Sequence, residues 1–126
     1  MRKKPFPMKQ RQKAEKLGRM GELIALWWLR FHGWHIVKNG KRAKTKQGEI
    51  DIIARRGGIL AFIEVKTRRS AQNLDDAIDK YRLRRVAAAV HSLAPRLMRP
   101  DESIRIDVIL WCPWHWPHHI INVWYD

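Results

Sequence analysis

Two carboxylates and one ammonium group carry the chemistry that this sequence offers most plainly. Asp51 sits in one apolar run, Glu64 and Lys66 sit in the next, and Gly57-Gly58 separates the two. A Gly-Gly pair between β-like runs is a strong hairpin signal, because the tightest hairpin turns need positive φ at their central residues. With those two glycines as the loop, Arg56 pairs with Ile59 and the register sets Asp51 directly opposite Glu64. Directly opposed residues share a face, with Cβ atoms about 4.5–5.5 Å apart. The same register sets Glu49 against Lys66 on that face, so four charged groups converge.

Ile50, Ile52, Ile63 and Val65 are assigned to the opposite face and Phe62 flanks Glu64, which leaves the charged patch partly desolvated. Opposed carboxylates repel, and a low dielectric sharpens the repulsion unless a cation intervenes. Lys66 can neutralise one charge. A hard divalent ion such as Mg²⁺ can neutralise the pair, taking carboxylate oxygens and water as ligands. The competing reading is a structural salt-bridge ladder, which has to place two acids face to face within apolar strands.

The elements that must position these groups follow from periodicity. Leu17, Met20, Ile24, Trp27, Trp28 and Phe31 recur at helical spacing and predict a helix over residues 13–32 ended by Gly33. Leu23, Leu26 and Leu29 make its second half apolar on nearly every side, which suits packing on more than one surface. Glu22 shares a face with Gly18, Ala25 and Leu29, small residues that let the helix lie close to the hairpin. Its carboxylate then either joins the charged patch, pairs with Arg19 or answers the helix dipole. Short strands are expected at 35–37, 49–55 and 59–66, with a basic loop over 39–48. Asn73 caps a second helix over 74–94, with Ile78, Tyr81, Val86, Ala89, Val90 and Leu93 as its buried stripe and Pro95 as its stop. Strands over 103–111 and 119–125 enclose a Trp- and Pro-rich turn. The order α, β, β, β, α, β, β implies an α/β fold, a mixed sheet with a helix on each side.

The chain has 126 residues, 45% hydrophobic and 30% charged, enough for one packed domain over 13–126 behind a flexible basic arm over 1–12. Its net charge of +14 is uneven: residues 1–46 hold 14 basic and 2 acidic side chains, residues 47–126 hold 12 and 10. Such a field draws in polyanions, so nucleic acid or an anionic membrane surface is the expected partner. The single Cys112 excludes a disulfide framework and fits a reducing, cytoplasmic compartment. The longest apolar run, residues 23–29, is far below the roughly 20 residues that span a bilayer, and the basic arm has too few apolar residues to insert into a surface, so no membrane partner is expected.

Ile50-Asp51 followed by Glu64-Val65-Lys66 resembles the PD-(D/E)XK nuclease superfamily, with Ile50 in place of its proline. The strings GEIDIIA (48–54) and FIEVKTR (62–68) are similar to the YraN family of small bacterial proteins, related to archaeal Holliday-junction resolvases. The likeness extends through Gly21-Glu22, Lys80, Arg105-Ile106-Asp107-Val108 and His119-Ile120-Ile121-Asn122. It implies a restriction-endonuclease-like fold and a metal-dependent endonuclease acting on structured or branched DNA. Its ligands to Mg²⁺, or Mn²⁺, would be Asp51 and Glu64, with Lys66 beside the attacking water and Glu22 as a further acid. Arg68 and Lys80 match the family pattern as phosphate-binding residues, and Lys41, Arg42, Lys44 and Lys46 form a basic loop suited to the same task. A nucleic-acid-binding module that keeps the fold without catalysis is the alternative.

Two further groupings stand apart. Cys112, His115, His118 and His119 are of the types that Zn²⁺ prefers, but their spacing is not that of a common zinc module. The seven Trp read as core or as an associating surface suited to a homodimer, with Trp111, Trp114, Trp116 and Trp124 the candidates, or as stacking platforms for bases.

Overall fold

A computed structural model of the chain describes residues 8–40, 50–70 and 80–124, with side chains from Lys9 onward and, in the second helix, from Leu83 onward. The elements run α1 (Met8–Phe31), β1 (His35–Asn39), β2 (Ile52–Arg56), β3 (Ile59–Thr67), α2 (Lys80–Leu97), β4 (Ser103–Trp111) and β5 (His118–Ile120). Gly57 and Gly58 take φ values of 55° and 79°, so the turn between β2 and β3 is the two-residue type expected, and Arg56 pairs with Ile59. The strands form one sheet in the order β1-β2-β3-β4-β5, in which only β3 and β4 are parallel. A parallel neighbour requires a crossover, and α2 lies in it.

Side-chain alternation along β3 divides the core in two. Leu60 and Phe62 pack with Ile53, Ile106, Val108 and Leu110 beneath Leu83, Val86, Ala89, Val90 and Leu93 of α2. Ala61 and Ile63 pack with Ile52, Ala54 and Ile109 beneath Ala25, Leu26 and Leu29 of α1. A five-stranded mixed sheet flanked by two helices is thus the observed architecture, in the predicted element order, and it is compatible with a restriction-endonuclease-like fold. Among the described residues, no helix is long and apolar enough to cross a membrane.

Several expected boundaries move. Helix α1 starts at Met8, inside the segment read as a flexible arm, because residues 8–13 are mostly Lys, Gln and Arg, good helix formers, and follow directly on Pro7. Pro95 does not stop α2. It sits in the last turn, where its missing N–H costs one bond to the exposed His91, and the helix runs on to Leu97. The last strand is only His118–Ile120, since Asn122 turns to a positive φ and the Val123 N–H then bonds the Ile106 carbonyl. Ile50 packs with the α2-side core rather than with Ile52, because β2 begins at Ile52 and alternation does not reach back beyond it. The Asn73 cap and the early stripe residues Ile78 and Tyr81 lie outside the described residues or side chains.

The predicted stripe of α1 is buried only in part, with Leu17, Ile24 and Trp28 half-buried, and the face with Ala25 and Leu29, read as lying close to the hairpin, is the fully buried one. Met20, Trp27 and Phe31 are exposed, while Gly21, Ala25 and Leu29 face the sheet. The second half of α1 is apolar on nearly every side, which leaves the choice to closeness of approach, and the face carrying Gly21 and Ala25 wins. A Cβ at Gly21 would overlap Thr67 Oγ1, which shows how tightly α1 presses on the end of β3.

Candidate metal centre and active site

Strand β3 carries Glu64 and Lys66 on the α2 side of the sheet, continuing the alternation set by Leu60 and Phe62. Both are buried, at 3% and 7% exposure, and Lys66 Nζ donates to Glu64 Oε1 at 3.1 Å. Asp51 precedes β2 by one residue, so it stands where the hairpin register would set it against Glu64, yet outside the ladder. A side-chain bond replaces the missing ladder bond: the Val65 N–H donates to Asp51 Oδ2 at 2.8 Å. That contact draws the Asp51 carboxyl to the backbone between Glu64 and Lys66.

Asp51 pays electrostatically for this position. Burial pushes its carboxyl up, and the charge of Glu64 pushes it further; the Val65 N–H pulls the other way and Glu22 adds to the rise, leaving the pKa at about 7 instead of 3.8. Glu22 is therefore near enough for Asp51 to feel its charge, and Gly21 beside it accounts for how α1 brings it there. Among the described residues, no three His, Cys, Asp or Glu side chains converge as a ligand group. The donor set is two carboxylates with a third acid nearby, which fits a hard cation that keeps much of its water.

The remaining candidates fall in different places. Arg68 is half-buried, bonds the Thr67 carbonyl through its guanidinium at 2.9 Å, and with Thr67 and Arg69 borders a groove of about 250 Å³ against Ala14, Leu17 and Gly18 of α1. Lys41, Arg42, Lys44, Lys46 and Glu49, and the side chain of Lys80, lie outside the described residues. The Cys112 and His cluster separates: the Cys112 Sγ is 3.1 Å from His115 Nδ1, whereas His119 Nε2 is 2.8 Å from Asp107 Oδ2 and His118 is exposed. Of the four Trp read as an associating surface, Trp111 is buried at 6% exposure and Trp124 packs against the α2-side core, while Trp114 and Trp116 are exposed.

One cluster received no role from the sequence. Asp107 is fully buried, accepts two hydrogen bonds from Arg105 at 2.9 and 3.0 Å, and also engages His119 and the Asn122 N–H. Burial pushes its carboxyl up, but these bonds outweigh it and hold the pKa below the usual value. An acid two positions from an arginine in an otherwise apolar strand was the available signal. It ties β5 and the chain beyond it to β4, on the α1 side of the sheet.

The profile of the uncharacterised protein family UPF0102 matches residues 21–111, from Gly21 in α1 to the last residue of β4, and so takes in Glu22, Asp51, Glu64 and Lys66. The chain is 58% identical over 118 residues to a UPF0102 protein of Rhizorhabdus wittichii, covering 94% of this chain and 98% of that one. It is 56% identical over 114 residues to a UPF0102 protein of Sphingopyxis alaskensis, covering 90% and 97%, and 43% identical over 118 residues to one of Bartonella tribocorum, covering 93% and 89%. An α/β protein with an acidic pair, Glu64 buried and Asp51 half-buried, at the end of a mixed sheet is the class that fold and site define. Within that class, the chain belongs to the UPF0102 family, which is the YraN family.

Proposed function

We propose that this protein is a metal-dependent endonuclease of the PD-(D/E)XK type that hydrolyses phosphodiester bonds in structured or branched DNA, working in the cytoplasm. The observation that carries the reading is the Asp51–Glu64 pair, two acids held together against their own repulsion beside a buried ammonium. A fold gains nothing from that arrangement by itself. Asp51 and Glu64 would hold Mg²⁺ or Mn²⁺, with Glu22 adding negative charge nearby. Bound there, the ion would polarise the scissile phosphate and lower the pKa of a coordinated water.

The chain's own groups do the rest. The Val65 N–H orients Asp51, and Glu64 holds the Lys66 ammonium at the same place. From there Lys66 stabilises the charge that develops on the phosphate; as an ammonium it orients water rather than taking its proton. Arg68 and the groove beside it, together with Lys80 and the basic loop, hold phosphates without reading sequence. A catalytically silent binding module is the second reading, favoured by the closed Lys66–Glu64 ion pair.

Cleavage of single-stranded, duplex, flapped and four-way-junction DNA in Mg²⁺ or Mn²⁺ decides between them. Wild type is expected to cut at least one branched substrate and Asp51→Asn to lose that activity while still binding DNA. No cleavage by wild type on any member of the panel refutes the nuclease reading.

A further inference from the structure

The apolar side of α1 that the sheet does not use faces a groove of about 510 Å³, formed with the turn between β4 and β5. Its walls are aromatic: Trp27, Trp28 and Phe31 from α1 meet Trp111, Trp114 and Trp116. Trp28 and Trp116 lie with ring centroids 6.3 Å apart and link the two walls. Trp114 is fully exposed, Trp116 is 85% exposed and Phe31 82%, so these rings stand in solvent instead of filling a core. Trp114 does this from a left-handed backbone, φ 68°, a conformation unusual for a bulky residue. Trp114 and Trp116 also lie beyond the residues matched by the family profile.

We propose that this groove stacks the unpaired bases of a single-stranded polynucleotide. The inference rests on the nucleic-acid reading above and names the substrate feature that the site engages, a single-stranded tail or flap beside a duplex. Charge selects this occupant. Among the described residues the groove has no acid in its lining, and α1 carries exposed Lys9, Arg11, Lys13, Lys16, Arg19 and Arg30 against only Glu15 and Glu22. Arg30 sets its guanidinium 5.7 Å from the Trp27 ring centre, so a cation waits beside a stacking face. Bases supply flat apolar rings and their backbone supplies the anions, the combination that single-strand sites meet with aromatic platforms in a basic groove. A second copy of the chain would bring the same rings but also another +14 and a second basic α1, which opposes pairing through this face.

The groove is also joined to the candidate active site. Thr67, the last residue of β3 and next to Lys66, pairs with Trp111, and the Arg68 N–H donates to the Trp111 carbonyl at 2.9 Å. Trp111 and Glu64 are three residues apart in register, roughly 10 Å along the strands. The groove opens on the α1 side and Glu64 faces the α2 side, so a strand running past Arg68 around the sheet end passes from one to the other.

The test uses the full chain in EDTA, so that binding is read without cleavage, with a fluorescein-labelled oligothymidylate and a duplex of equal length. Trp114→Ala and Trp116→Ala are each expected to weaken oligothymidylate binding roughly five- to a hundredfold, the scale of one base–aromatic stack, and to leave duplex binding within about twofold. Trp114→Phe, which keeps a ring, is expected to retain most of the affinity. Melting temperatures should be unchanged, since both side chains are exposed. If the alanine variants bind oligothymidylate as wild type does while duplex binding persists, the groove is not a base platform and the nuclease reading stands. If wild type binds neither probe, both fall. A wild-type dimer by sedimentation that Trp116→Ala dissolves, with oligothymidylate binding unchanged, gives the groove to a second copy and overturns the proposal.

Discussion

Asp51 is the residue at which stability and function pull in opposite directions. Its folded pKa of about 7 lies above the unfolded value, so the native state binds a proton more tightly than the unfolded chain does. Metal-free protein is therefore expected to lose stability as the pH rises from about 4 to about 7, at up to about 1.4 kcal/mol per unit, and to level off above that range. Thermal melts in EDTA across this range check the slope, and Asp51→Asn should flatten it. A cation needs the ionised carboxylate, so Mg²⁺ affinity should rise through the same window and binding should release protons. A wild-type stability that rises with pH there would mean that Asp51 is a paired structural acid. The opposed acids were legible in the sequence because a Gly-Gly turn leaves one register. The Glu64–Lys66 bond matches the reading that Lys66 can neutralise one of the two carboxylates; the register, which sets Lys66 against Glu49, does not say which one.

At the scale of elements, α1 shows why a helical stripe is not yet a contact surface. Its sequence is apolar around most of its circumference, and periodicity chose Met20, Trp27 and Phe31 for burial. The sheet chose Gly21 and Ala25, because backbone approach rather than side-chain size sets how much of the sheet is covered. Gly21→Ala is expected to cost about 1–3 kcal/mol, since the new methyl must displace Thr67 from a packed site. Adding Thr67→Ala should recover most of that loss, and denaturant melts of the two single variants and the double variant measure the coupling. Recovery of nothing would place the strain elsewhere. Helix α2 teaches the converse: Pro95 predicts a stop, yet a proline in the exposed last turn forfeits only one hydrogen bond and leaves the buried stripe through Leu93 and Ala94 intact.

For the whole molecule, charge distribution decides what it meets. The excess of positive charge lies before residue 47, and most of its described part is on α1, where Lys9, Arg11, Lys13, Lys16, Arg19 and Arg30 are all exposed. Duplex DNA binding is expected to fall steeply with salt, by about −0.9 in log–log slope for each phosphate neutralised. Lys13→Ala and Lys16→Ala should each flatten that slope by up to one contact without moving the melting temperature, as fluorescence titrations over a tenfold range of salt would read. A flat profile for wild type would remove polyanion binding as the purpose of the charge. The element order and the mixed sheet were legible at this scale because each apolar run was bounded by Gly, Pro or Asn. The Asp107 cluster was not, since its partners Arg105, His119 and Asn122 meet only once β5 has folded back on β4.

The parallel pairing of β3 with β4 also imposes an order of events in time. The hairpin of β2 and β3 closes through a two-residue turn, whereas Glu64 reaches its neighbour Val108 only across the whole crossover that contains α2. Closing the short loop costs far less chain entropy than closing the long one, so the acids should approach each other before the strand that buries them arrives. On a ribosome the hairpin emerges first and keeps one open edge until β4 is made. In refolding kinetics, Gly58→Ala, which disfavours the positive φ of the turn, should act mainly on the folding rate, and Val108→Ala, which thins the later contact, mainly on the unfolding rate. The reverse pattern in a chevron plot would mean that β4 docks first and the hairpin forms against it.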